Sequence, residues 1–180
     1  DIVPTFMGAH AVPSDFKGKE DQYVDLVVNE MLPRVAHDKL AKFNDVFCEV
    51  GVFTPEQSKR ILEAGKTLGL TPKIHADEIE SYGGAELAAE VGAISAEHLL
   101  KVSDMGIAAM AKKGLIACLL PATALYLQET AARGREMINA GVPVAISTDC
   151  NPGSSPTTSM PLVMNLACIS MRLTPAESLC

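Results

Sequence analysis

The sequence predicts an α/β fold in which parallel strands alternate with helices, and three observations carry the prediction. Apolar runs, several of them β-branched, recur at Ile2–Ala9, Val46–Val50, Pro72–Ala76, Gly92–Ser95, Leu115–Leu120 and Val142–Thr148. They are apolar without alternation, as expected of strands covered on both faces. Segments with helical spacing lie between them, and successive strand ends stand roughly 20 to 40 residues apart, room for a helical crossover each time. A closed barrel of this kind has eight units and about 250 residues, whereas six are counted here. The pattern alone leaves open either a smaller open sheet or a TIM-like barrel with about six of its eight βα units.

Each intervening segment has its own signal. Val24, Val27, Val28, Met31 and Val35 fall on one helical face, and Pro33 should kink or divide that helix. Thr54-Pro55-Glu56-Gln57 is a capping box with proline at the first helical position. The helix it starts turns Ile61, Leu62, Gly65 and Leu68 inward. Further helices are expected over Gly84–Glu90, Val102–Lys113, Glu129–Ala140 and Met160–Arg172, and Thr174-Pro175-Ala176-Glu177 opens another. No internal repeat beyond the unit, no low-complexity tract and no linker interrupts the pattern, so residues 1–180 read as a single domain.

Composition removes several function classes. The net charge of −7 and the absence of a basic stripe argue against nucleic-acid binding. The mean hydropathy is +0.19, but no apolar run approaches the roughly 20 residues of a membrane helix. The opening Asp1-Ile-Val-Pro-Thr-Phe-Met lacks the basic start of a signal peptide. Five cysteines, Cys48, Cys118, Cys150, Cys168 and Cys180, make no CxxC pair, which suits a reducing cytoplasm. Cys48 and Cys118, inside apolar runs, read as small buried hydrophobes.

The chemistry gathers at strand ends. His75 and Glu78 close the run Pro72-Lys-Ile-His75-Ala-Asp-Glu78, His98 follows the next run, and Asp149 closes Val142-Pro-Val-Ala-Ile-Ser-Thr-Asp149. In barrels and open α/β sheets, catalytic groups converge at the C-terminal ends of strands. Two imidazoles and two carboxylates delivered there form part of a metal-dependent hydrolytic site. Each has a plainer reading when taken alone. His75 could be a satisfied structural histidine, His98 a surface histidine opening a helix, and Asp149 the start of an Asx turn before Pro152 and Gly153. His37 reads as a solvated residue on a helix face.

The order H-x-x-E, then a histidine one unit later, then an aspartate on the last strand resembles that of the amidohydrolase superfamily. Within it, Phe6-Met-Gly-Ala-His10-Ala-Val-Pro13, His75-Ala-Asp-Glu78, Ser95-Ala-Glu-His98-Leu99 and Ser147-Thr-Asp-Cys-Asn-Pro-Gly-Ser154 are similar to the imidazolonepropionases. The resemblance implies a TIM-like barrel of the metal-dependent hydrolase type. It also implies ring-opening hydrolysis of imidazolone propionate, a small-molecule substrate, to N-formimidoyl-glutamate in histidine degradation. His75 and Asp149 would be ligands of one divalent ion, zinc or iron. Glu78 would contact substrate and move protons, His98 would orient or deprotonate the attacking water, and Asp149 would accept its proton. His10 would bind substrate, with Asn151, Gly153 and Ser154 holding its polar tail.

The sequence departs from that family in one respect. The family takes two further ligands from an H-x-H pair on its first barrel strand, and none of the four histidines here forms one. The strand leading to His10 corresponds to the third of such a barrel. The chain therefore reads as a segment of such an enzyme, ending at Leu179-Cys180 inside a newly capped helix, and two protein ligands would hold zinc weakly. A purine or pyrimidine deaminase shares the H-x-x-E, His, Asp order and is one alternative. A non-catalytic α/β domain is the other. A barrel of this kind can also pair as a homodimer.

Overall fold

A computed structural model describes residues 2–179. Asp1 and Cys180 lie outside the described residues, as does the end of the helix expected after Thr174. Within the described part, Glu177 closes a cap on Thr174, accepting from its N–H (2.7 Å) and hydroxyl (2.8 Å). The chain there forms turns.

Six strands pair in parallel and in chain order: β1 Thr5–Ala9, β2 Phe43–Cys48, β3 Thr71–Ala76, β4 Ser95–His98, β5 Ile116–Leu119 and β6 Val144–Ile146. Helices fill every crossover. They are α1 Glu20–Leu26, α2 Leu32–His37, α3 Pro55–Thr67, α4 Gly84–Val91, α5 Asp104–Lys113, α6 Pro121–Tyr126 and α7 Gly134–Asn139, with α8 Met160–Ser170 after the last strand. This is the βα alternation expected, because a parallel pair cannot be closed by a hairpin.

Several boundaries differ from those expected, for physical reasons. A π-helical turn, Val27–Met31, joins α1 to α2, so the division precedes Pro33, which sits in the first turn of α2 where its missing N–H costs nothing. The helix expected over Glu129–Ala140 is shorter, starting at Gly134, and α6 forms earlier behind Pro121. Leu68 lies past the end of α3 and is exposed, whereas Ile61, Leu62 and Gly65 are buried. The capping box at Thr54 forms in both directions, at 3.2 and 3.0 Å.

The strands also alternate more than an all-apolar reading implies. Along β3, Pro72, Ile74 and Ala76 are buried, while Thr71, Lys73 and His75 are half-buried. Ile74 and Ala76 join Val46, Cys48, Ile61, Leu62 and Ala88 in the apolar layer between sheet and helices. Helix α4 reaches that layer closely, since a Cβ added to Gly84 would stand 2.6 Å from the Ala76 Cβ. The other face carries polar and charged groups, and it is this face that builds the site. Cys118 on β5 is only half-buried, unlike Cys48.

Candidate functional site

The C-terminal ends of the strands deliver their side chains to one cavity of about 280 Å³. It is lined by Met7, His10, Phe47, His75, Glu78, His98, Asp149, Asn151 and Ser154. The sequence-predicted residues His10, His75, Glu78, His98, Asp149, Asn151 and Ser154 are thus brought together from five crossovers' worth of chain. Gly153 is not in the lining. His37 is exposed on α2, as expected, and it pairs there with Asp38.

His75, second from the end of β3, lies edge-on to the ring of His10, with centroids 4.3 Å apart, and 5.1 Å from the ring of His98. His98 is the last residue of β4, not a residue beyond it, and it is buried. Its φ of +71°, followed by Leu99 at +60°, is a left-handed pair that non-glycine residues adopt at a cost. Burial, reinforced by His75, pushes the His98 imidazole down to about 3, so it is neutral at physiological pH. Its Nδ1 stands 3.4 Å from Glu78 Oε1. Burial pushes the Glu78 carboxyl up to about 7, against an opposing pull from His75.

Asp149, at φ +49°, accepts a 2.7 Å hydrogen bond from the Thr123 hydroxyl on Oδ2. The turn after it is held by Asn151. Its Oδ1 accepts from the N–H groups of Gly153 (2.9 Å) and Ser154 (2.8 Å), and its Nδ2 donates to the Asp149 carbonyl at 2.8 Å. The turn is thus an Asx turn made by Asn151 and not by Asp149, whose carboxylate takes the Thr123 hydroxyl instead. The Gly153 N–H is therefore spent inside the turn and is not offered to the cavity.

Four buried acids near the site, Asp45, Glu49, Asp77 and Glu97, are not among the residues the sequence points to. Asp45, on β2, lies under the two histidines: its Oδ2 accepts from His10 Nε2 at 3.3 Å and stands 2.7 Å from His75 Nδ1. Burial alone would raise its carboxyl, but His75 and His10 together hold it well below the usual carboxylate range. Conversely, Asp45 outweighs burial at His75 and raises that imidazole. Glu97, on β4, pairs with Lys73 at 3.0 Å and accepts from the Ser95 hydroxyl at 2.6 Å. Asp77 takes the N–H groups of Tyr82, Gly83, Gly84 and Ala85, fastening the loop that follows Glu78 to the start of α4.

The donor chemistry fits a divalent metal. One ligand atom from each of His10, Asp45 and His75 lies within 4.8 Å of the others. Asp45 Oδ1, His75 Nδ1 and His98 Nδ1 are buried without a hydrogen-bond partner among the described residues, which marks a place prepared for charge. Imidazole and carboxylate suit zinc or iron alike. Among the described residues no helix is long and apolar enough to cross a membrane.

No family model matches the chain. The imidazolonepropionase of Brevibacillus brevis is 68% identical over 179 residues, which is 99% of this chain and 42% of that protein. The imidazolonepropionase of Geobacillus kaustophilus is 66% identical over the same share of each. The chain resembles imidazolonepropionases along its whole length. It spans about 42% of the length of these curated relatives.

The six parallel βα units align with part of larger solved enzymes. The crystal structure of an amidohydrolase from a Sargasso Sea environmental sample aligns with a TM-score of 0.67 at 19% identity, covering 95% of this chain and 43% of that one. An adenosine deaminase from Xanthomonas campestris, solved with bound zinc, aligns at 0.61 and 19% identity, covering 84% of this chain and 37% of that one.

Proposed function

We propose that this chain supplies the substrate-facing side of a metal-dependent cyclic-amide hydrolase that opens the ring of imidazolone propionate to N-formimidoyl-glutamate. The observation that carries the reading is the convergence of His10, His75, Glu78, His98 and Asp149 on one cavity. The level of identity to imidazolonepropionases over the whole chain supports the choice of substrate. The four cysteines described are free thiols, in keeping with a reducing cytoplasm.

His75 would hold the ion, zinc or iron, together with Asp149, which stands outside the close group of His10, Asp45 and His75. When bound, such an ion makes hydroxide available near neutral pH and polarises a carbonyl. The chain's own groups account for the proton movements. Asp149 takes the proton of the attacking water on Oδ1, the oxygen that Thr123 leaves free. His98, being neutral, orients the water or donates a hydrogen bond to the substrate carbonyl oxygen rather than supplying a positive charge. Glu78, poised near neutrality, delivers a proton to the departing ring nitrogen as the carbon–nitrogen bond breaks. Water thus adds its hydroxyl to the carbonyl carbon and its hydrogen to the nitrogen.

His10, at the cavity wall, binds the substrate ring, and the Ser154 hydroxyl, turned from Asn151, addresses the propionate, while the Asn151 amide, engaged within the turn, shapes that end of the cavity. The assay that tests this is hydrolysis of imidazolone propionate by the natural full-length protein, followed by the appearance of N-formimidoyl-glutamate. Turnover that Glu78→Gln lowers by at least 100-fold, with metal content intact, supports the reading. Turnover indifferent to Glu78, or none with metal bound, overturns it.

A further inference from the structure

We propose that Asp45 is a positioning residue that fixes the ring orientation and tautomer of His75 from beneath. This rests on the reading of His75 as a metal ligand. Asp45 lies on β2 directly beside β3, in register with Lys73, two residues short of His75. From there its carboxylate reaches up to the His75 ring. It is 1% exposed, so water contributes little to stabilising its charge.

His75 Nδ1 stands 2.7 Å from Asp45 Oδ2, close enough for a hydrogen bond but not aligned as one, and it has no hydrogen-bond partner among the described residues. A small turn of the His75 ring would direct an Nδ1 proton at that oxygen and leave Nε2 as the nitrogen available to an ion. The same oxygen accepts from His10 Nε2 at 3.3 Å, so a single buried carboxylate orients both histidines at once. Carboxylates behind a metal-bound histidine set its tautomer and raise its basicity, and their loss weakens metal binding about 10–100-fold.

The proximity of His10, Asp45 and His75 also raises the possibility of direct ligation by Asp45. The Asp45–His75 distance argues against it, although the 3.3 Å between Asp45 and His10 alone would fit. Zinc bonds to nitrogen and oxygen of about 2.0–2.2 Å set tetrahedral ligand atoms roughly 3.3 Å apart. The 2.7 Å between Asp45 Oδ2 and His75 Nδ1 is a contact between partners, not the edge of a coordination shell. The motif H-x-x-E gives no hint of Asp45, which belongs to a different strand.

The test uses the natural full-length protein, labelled with nitrogen-15 at histidine and loaded with zinc. Long-range nitrogen–proton correlation should show His75, assigned by its loss in His75→Ala, with its proton on Nδ1. A proton on Nε2 would overturn the proposal, and this measurement needs no Asp45 variant to fold. In Asp45→Asn, chelator competition should show zinc bound about 10–100-fold more weakly, while the cobalt-substituted visible spectrum keeps its shape. Unchanged affinity would overturn the role of Asp45 alone, and a changed cobalt spectrum would make Asp45 a ligand instead. If the unaltered protein binds no metal, or His75→Ala binds it equally well, the reading of the site itself falls.

Discussion

Glu49, immediately after β2, holds the backbone of Glu78, after β3: its Oε2 accepts the Glu78 N–H at 3.1 Å and the Ile79 N–H at 2.9 Å. Its other oxygen takes the N–H groups of Glu80 at 3.3 Å and Val50 at 2.8 Å. One buried carboxylate therefore satisfies four backbone donors, and it fastens the loop that presents the proposed proton carrier. Hydrogen bonds to a charged acceptor contribute about 1.5–3 kcal/mol each. Glu49→Gln, which must turn an N–H₂ group toward some of those donors, should lose about 2–4 kcal/mol in urea denaturation. A loss below about 0.5 kcal/mol would show that the loop does not depend on Glu49.

Glu78 itself should carry a pH-dependent stability cost in the metal-free protein. Its folded pKa, pushed up to about 7 by burial, lies above the 4.5 of an ordinary glutamate. Between those values the folded state binds more proton than the unfolded one, so stability falls as pH rises. Glu78→Gln removes the charge and should be more stable than the parent at pH 8, on the order of 2–3 kcal/mol, with the gain fading by pH 5. Urea melts at both pH values check this. An equal difference at the two values would mean that Glu78 ionises as freely as in water.

Much of this site was legible in the sequence because its members sit at the ends of apolar runs. His75, Glu78, His98 and Asp149 each follow a segment whose strand character could be read, and strand ends are where an α/β fold gathers chemistry. Asp45 was not legible for the opposite reason. It lies inside β2, in Phe43-Asn44-Asp45, ahead of the apolar residues that announced the strand. Which face it occupies depends on register, and no spacing motif links it to His75. Glu97 escaped in the same way, as the apolar reading ended its strand at Ser95 whereas β4 runs to His98. The fold followed from helix caps and apolar spacing. The division of the first helix by a π-turn depends on packing against α3 and β1 that the sequence does not display.

The closeness of α4 to β3 makes Gly84 a packing requirement. A methyl group there would stand 2.6 Å from the Ala76 Cβ and 3.2 Å from its Cα, so helix or strand must shift. Gly84→Ala should cost about 1–3 kcal/mol, although alanine favours helix, because overpacking outweighs propensity. Thermal melts of the two proteins decide it. A variant of equal or higher stability would show that the two elements separate freely.

The cysteines offer a chemical check of the same packing. Burial pushes the Cys48 thiol up to about 11 and the Cys118 thiol up to about 12, with Glu97 adding to the latter. A raised thiol pKa withholds the reactive thiolate until pH exceeds it. Iodoacetamide at pH 8 should therefore label the exposed Cys150 and spare Cys48 and Cys118, both of which become labelled in urea. Peptide mass analysis reads the result. Labelling of Cys118 at the rate of Cys150 would contradict the burial that raises its thiol.

The most direct measurement is the metal content of the natural full-length protein, by elemental analysis after dialysis, alongside His75→Ala. The account predicts about one zinc or iron per chain, lost when His75 is replaced, with hydrolysis of imidazolone propionate lost alongside it. Hydrolysis that continues without metal, or metal that stays when His75 is gone, would contradict it.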